Sequence, residues 1–303
     1  MIRRLPPLLV LLAVASVPLS AAEVLLRNDW IKAHRNRVTV TADFTVDKAH
    51  DYPNPVGQGS DDGDMHIAGR AEAIGLPLVL EIVNARIDPF APVLKRVAAA
   101  EAGVQTVPVA GVWRLWFEHP GKKPQQQGAH VPIPKNSNPD HIFELHPATS
   151  FDGVSLGPGF VPIKGYTAHE VKKVFDHYEK RVFKVQMGPV FTSIASTKAV
   201  FNYAHFHMVM TSGAKAINGG LVANANVVLP DGTSLVASPR RMVFVGGTQP
   251  AAIAAKAKPG DRFEAIGIPR VNLDRVWAMA KNAAGQAVDV KGAYELIIVG
   301  IVE

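Results

Sequence analysis

The chain contains no cysteine, which excludes disulfide frameworks, thiolate metal sites and cysteine nucleophiles. Charge is sparse, at 19% Asp, Glu, Lys and Arg, and aromatic residues make up only 7%. Beyond residue 22 no apolar run approaches the roughly 20 residues of a membrane-spanning helix. A phosphate-cradling Gly-rich loop, an HExxH string and a Ser-His-Asp spacing are also missing. What is abundant is apolar residue: 48% of 303 residues, too much for a disordered chain and enough for roughly two domains.

Residues 1–22 read as an export signal. Arg3 and Arg4 form a basic start, residues 8–17 an apolar stretch, and Ser20-Ala21-Ala22 a small-residue cleavage site. Pro6, Pro7 and Pro18 flank a run too short to anchor in a membrane. Cleavage there sends the protein to the periplasm or the exterior. The formal charge of +6 points toward nucleic acid, but removing Arg3 and Arg4 leaves 30 basic and 26 acidic residues, or +4. That excess is small and dispersed, so nucleic acid is not the favoured partner. An exported chain without cysteine must draw its stability from packing.

The pattern of the mature chain is mainly β. Val38, Val40, Ala42, Phe44 and Val46 alternate with polar residues, the signature of a half-buried strand. Strands at 65–68 and 78–83, an Ala-rich helix at 91–102 ended by Gly103, and strands at 107–117 and 141–146 follow. Three strands, one helix and two strands is the order of an OB-like five-stranded barrel, assigned to 23–152. The loop 120–140, with Gln125, Gln126 and Gln127, is an insertion between its last two strands. Residues 153–164 read as a linker. From 165 to 303 a helix set by Thr167 and Glu170, short strands, a hairpin turn at 230–233 and a second helix at 273–283 suggest a β-sandwich-like domain. No internal repeat is visible.

Acids and histidines concentrate in the first half: Asp61-Asp62-Gly63-Asp64-Met65-His66, Glu81, Glu118-His119, and Asp140-His141 through Glu144 and His146. Strand parity pairs Asp64 with His66 and Glu144 with His146, and puts His141 off that face or in the turn before it. Glu81 sits in the apolar strand LVLEIV, where an unpaired carboxylate costs several kcal/mol. Something must compensate it. Asp64, His66 and His146 are the candidate metal ligands, with Glu81 and Glu144 as acid and base; this donor set accepts zinc, manganese or iron. Trp113, Arg114, Trp116 and His119 are candidate ligand contacts, since an exposed Trp beside Arg makes a stacking platform. His205 and His207 share a strand face, but no glutamate follows closely, and a satisfied surface pair is the plainer reading. The plain reading of the first cluster is a polar turn at DDGD and loop-capping histidines.

The strings DGDMH, LEIVNA and NPDHIFELHP resemble segments of uncharacterised exported bacterial proteins. A strand leading into Asp62-Gly63-Asp64, followed by a strand carrying an acid, is similar to staphylococcal-nuclease-type OB domains. In that family such acids hold calcium beside arginines that neutralise phosphate, which would make Arg70, Arg86 and Arg114 the candidate arginines. The chain departs from the family's Asp-Thr-Pro-x-Glu run with Asn84-Ala85-Arg86-Ile87-Asp88-Pro89. The resemblance implies a fold more than an activity.

Three functions are consistent with these residues. The first is an exported binding protein that holds a small polar ligand or a divalent metal (zinc, manganese or calcium) at the barrel mouth. The second is a metal-dependent phosphodiester hydrolase using the same residues. The third is an envelope component in which the polar groups only satisfy one another. All versions of the site require Glu81 to lie close to His66 and His146.

Overall fold

The computed structural model describes residues 21–302, so the expected export signal lies outside the described residues except for its last two. From the start, β1 (Ala22–Arg27) leads into α1 (Asn28–His34). Then come β2 (Thr39–Ala49), β3 (Met65–Arg70), β4 (Leu78–Ile82), α2 (Ala91–Ala102) and β5 (Thr106–His119). Two-residue β6 (Gln125–Gln126), β7 (His141–Phe151) and β8 (Val154–Ser155) complete the first half. The second half opens with α3 (Val171–Lys180), β9 (Val182–Met187), β10 (Phe191–Ser196) and β11 (Ala204–Met210). β12 (Lys215–Ile217), β13 (Gly220–Val228), β14 (Arg240–Val245) and α4 (Gln249–Ala254) follow. The chain closes with β15 (Arg262–Val271), α5 (Leu273–Asn282), β16 (Val288–Lys291) and β17 (Tyr294–Val302).

The fold is mainly β, 44% strand and 18% helix, with two closed five-stranded barrels. The first joins β2-β3-β4-β7-β5 in a ring; β4 and β7 run parallel and the other pairs antiparallel. Its α2 bridges the third and fourth strands, the OB-like order expected from the sequence. The second β unit is also present, and its sheet closes on itself. β13 pairs with β14 along one edge and with β12 and then β11 along the other, completing the ring β11-β13-β14-β17-β15. This barrel has the same strand order, the same single parallel pair and a helix, α4, in the same place.

A third sheet, β16-β9-β10-β1-β6, draws strands from both halves. β1 pairs with β10 along its whole length, so the two halves are tied together well away from residues 153–164. That segment is packed rather than free, with Leu156, Phe160 and Ile163 buried. The α3 helix forms where expected, but its cap is Glu170, whose carboxylate accepts from the Lys172 and Lys173 amides. The main apolar core runs through both barrels, and a second cluster that includes Val112, Tyr203, Val243 and Ile297 fills the seam between them.

Candidate functional site

β4 organises the site. Every one of its residues is buried, with β3 on one edge and β7 on the other. Leu78, Leu80 and Ile82 face the barrel core, so alternation turns Val79 and Glu81 to the outer wall. The same parity sends Met65 and Ile67 of β3, and Phe143 and Leu145 of β7, inward. His66, Glu144 and His146 therefore share the outer wall with Glu81. His66 lies directly opposite Glu81, Glu144 is level with Val79, and Arg114 of β5 faces Glu144. The site is thus on the wall of the barrel, not at its mouth. It is buried because the second half covers it. The Tyr203 hydroxyl donates to Asp64 Oδ2 at 2.6 Å, and Arg114 Nε donates to the Pro269 carbonyl at 2.9 Å.

The distances bring the expected residues together. Glu81 Oε2 lies 3.2 Å from His66 Nε2 and 3.2 Å from His146 Nδ1. His146 also approaches Glu144 Oε2 and Asp64 Oδ2, each at 3.3 Å. Asp64 Oδ1 accepts from the Asn84 amide at 3.1 Å, while Asp62 Oδ1 accepts from the Asp64 amide at 3.1 Å. Glu144 is paired with Arg114, which also donates from Nη2 to Glu118 Oε2 at 2.9 Å. Glu81 Oε2 and His66 Nδ1 are buried without a hydrogen bond. The ring nitrogens beside Glu81 supply charge at ion-pair distance, but neither aims an N–H well at that oxygen.

Burial and mutual charge shift these groups strongly. Burial is the largest influence on His66 and His146 and favours their neutral forms, yet the surrounding carboxylates, led by Glu81, outweigh it. They lift His66 to about 9 and His146 to about 10. Burial likewise pushes Glu81 up, but His146 and His66 hold it down at about 2. Glu144 falls well below the usual range, its burial overcome by Arg114 and His141. Asp62 moves the other way, raised to about 8 by burial and by Asp64. Without a bound cation, then, the cluster is an ionic lattice of charged imidazoles and carboxylates with Asp62 protonated.

Two groups of donors could hold a metal ion. Atoms of Asp64, Glu81 and His146 lie within 4.8 Å of one another, as do those of Glu81, His141 and Glu144. Next to them a cleft of about 620 Å³ opens to the surface, lined by Asp62, His66, Glu81, Glu118, Tyr166 and Tyr203 among others. Among the described residues, no Lys or Arg lines it. A larger and more open groove, about 910 Å³, runs over the 120–132 loop and meets the cleft at His119. Its walls carry Lys122, Lys123 and Lys198 and none of the buried cluster.

Several expectations need correction. Trp113 and Trp116 do point to opposite faces, but both are fully buried. Trp113 Nε1 donates to the Arg37 carbonyl at 2.7 Å, with the Arg270 guanidinium 3.6 Å from its ring centre. Trp116 packs edge-on against Tyr178, with Arg181 over its ring. Neither offers a stacking surface, because Trp113 packs inside the first barrel against Trp30, itself edge-on to Phe143, and Tyr178 and Phe183 cover Trp116. Arg114 is wholly buried and engaged by Glu144, Glu118 and Pro269. Arg70 is committed to Asp47, and Arg86 to the carbonyls of Pro53 and Asn54. Of the contact residues, only His119 lines the cleft.

His141 is expected off the face or in the turn before it. Instead its Nε2 lies 3.1 Å from Glu144 Oε1 and its Nδ1 2.7 Å from the Pro139 carbonyl. His141 is the first residue of β7, where the Pro139 carbonyl holds its ring at the strand end within reach of Glu144. Tyr203 and Tyr166 gave no sequence signal, since they reach the site from the second half of the chain. The His205–Glu264 pair, at 2.7 Å, is half-exposed on β11 and β15 and stands apart from the cluster. No protein-family model matches the chain, and no curated protein matches it in sequence.

Proposed function

We propose that this protein is an exported binding protein whose first barrel, of OB-fold type by strand order, holds a divalent cation at Asp64, Glu81 and His146. The observation that carries the reading is Glu81 Oε2: a buried carboxylate oxygen with no hydrogen bond, flanked by imidazole nitrogens at 3.2 Å. A metal ion would satisfy that oxygen and displace protons from the histidines. Mixed nitrogen and oxygen donors favour zinc or manganese, whereas calcium prefers an all-oxygen shell. The acidic cleft beside the site suits a small cationic or neutral polar ligand.

Phosphodiester hydrolysis is the weaker reading. An anionic substrate would enter a cleft without Lys or Arg, and the candidate arginines are committed elsewhere. Elemental analysis of the purified protein, followed by zinc titration of thermal stability, tests the proposal. Near-stoichiometric metal is expected, with about 2.7 kcal/mol of stabilisation at a hundredfold excess over Kd. Glu81→Gln should lose that stabilisation. A protein that contains no metal, and whose melting temperature ignores zinc and manganese, would overturn it.

A further inference from the structure

The two barrels share more than a strand order, because their strand pairings run in the same register around the ring. The pair His66 and Glu81 corresponds to Val222 and Val243, and Leu80 with Leu145 to Met242 with Leu296. Arg114 facing Glu144 corresponds to Arg270 facing Glu295. Thr45 with Arg70 matches Val209 with Asn226, and Val40 with Gly111 matches Ala204 with Gly267. Four of these pairings set the residue-for-residue correspondence, and the fifth closes the ring consistently with it.

The contacts across the seam are reciprocal in the same terms. Arg114 Nε donates to the carbonyl of Pro269, the residue before Arg270, at 2.9 Å. Arg270 Nη1 donates to the carbonyl of Trp113, the residue before Arg114, at 3.0 Å. A surface in which one residue meets a second, and the counterparts of the two meet in the same way, is the mark of two-fold packing.

This arrangement separates architecture from function within one molecule. Both barrels keep the buried arginine and its facing glutamate; Arg270 Nε donates to Glu295 at 2.6 Å, as Arg114 pairs with Glu144. Only the first barrel has Asp64, His66, Glu81 and His146. Their counterparts in the second are Gly220, Val222, Val243 and Ile297, and the last two lie in the apolar cluster of the seam.

We infer that the chain carries two copies of one barrel about a pseudo-two-fold axis, that only the first has a binding site, and that Arg114 and Glu144 are positioning residues. The ligands are then Asp64, Glu81 and His146, with His66 beside them, not Glu144. The ligand assignment rests on the cation-binding reading above; the shared architecture does not.

The test compares Glu81→Gln, Glu144→Gln and Glu295→Gln in the full chain, with cobalt(II) as the probe for its visible spectrum. Glu144→Gln should keep the wild-type spectrum while lowering affinity about tenfold, as loss of an outer-shell partner does. Glu81→Gln should change or abolish the spectrum, and Glu295→Gln should leave spectrum and affinity unaltered. The Glu144 and Glu295 variants should both lose thermal stability, since each strands a buried arginine. If either fails to fold, Arg114→Met/Glu144→Leu and Arg270→Met/Glu295→Leu remove each pair without stranding a charge. A Glu144 variant whose spectrum changes like that of Glu81→Gln would overturn the ligand assignment. A Glu295 variant as stable as the wild type, beside a destabilised Glu144 variant, would overturn the shared architecture, even if the wild type binds no metal.

Discussion

Glu81 and His146 are neighbours across a parallel strand pair, one residue beyond the Leu80–Leu145 register, and their side chains meet at 3.2 Å on the outer wall of the first barrel. A carboxylate and an imidazole placed so close inside a protein must either share a proton-based charge pair or share a cation. The lattice around them supports both states, and the proton is what a metal must displace.

The competition gives a pH prediction with two signs. In chelator-treated protein, His66 and His146 are raised to about 9 and about 10, above an unfolded value near 6.5. Their stabilisation is complete below that unfolded value and is lost as pH climbs through the folded ones. Asp62, raised to about 8, also favours the folded state only while protonated. The metal-free protein should therefore lose melting temperature steadily from about pH 6.5 to 10. Zinc affinity should rise over the same range, because binding releases those protons. Melting curves with and without chelator check both. A metal-free protein that gains stability between pH 7 and 9 would refute the ionic lattice.

Tyr203 is the strap between the halves. Its hydroxyl gives Asp64 Oδ2 a buried hydrogen bond at 2.6 Å. Tyr203→Phe keeps the ring's packing against Tyr166 and removes only that donor. Leaving a buried carboxylate short of a partner should cost about 1–3 kcal/mol in chemical denaturation. Zinc affinity should also fall, since Asp64 loses its orientation. A variant as stable as wild type would mean that water replaces the hydroxyl freely.

Much of this fold was legible because the apolar spacing is regular. The alternation through Val46 marks β2, the α2 helix has the predicted bounds, and the element order gave the first barrel. Glu81 was legible for the opposite reason, as a charge in a strand where nothing polar belongs. What sequence patterns could not convey was long-range geometry. Tyr203 meets Asp64 only because two barrels pack wall to wall. The duplication is invisible for a physical reason: matching positions hold His66 against Val222 and Glu81 against Val243, so register survives where residue identity does not. The β1 strand pairs with β10, far along the chain, a contact that local spacing does not convey.

The burial of both Trp113 and Trp116 makes a prediction about nucleic acid. All four tryptophans, including Trp30 and Trp277, are buried among the described residues. No indole is free to stack on a base, so adding single-stranded oligonucleotide should leave tryptophan emission unquenched. Saturable quenching that weakens with salt would restore nucleic acid as a partner.

Gly111 and Gly267 offer a test of the paired barrels that does not depend on any ligand. Each lies on its barrel's fourth strand beside a register shift against the fifth. A Cβ on Gly111 would stand 2.8 Å from Leu145 Cβ and 3.2 Å from the Pro147 carbonyl, both held rigidly. On Gly267 the nearest atoms are the Ile297 carbonyl at 3.1 Å and the Phe206 ring at 3.2 Å, which a small shift can relieve. Overpacking of this kind costs typically about 1–3 kcal/mol. Gly111→Ala should fall at the upper end of that range and Gly267→Ala at the lower, measured by urea unfolding. Both should destabilise, because both positions carry the same close crossing of strands. A neutral Gly267→Ala would show that the second barrel has relaxed the packing the first still requires.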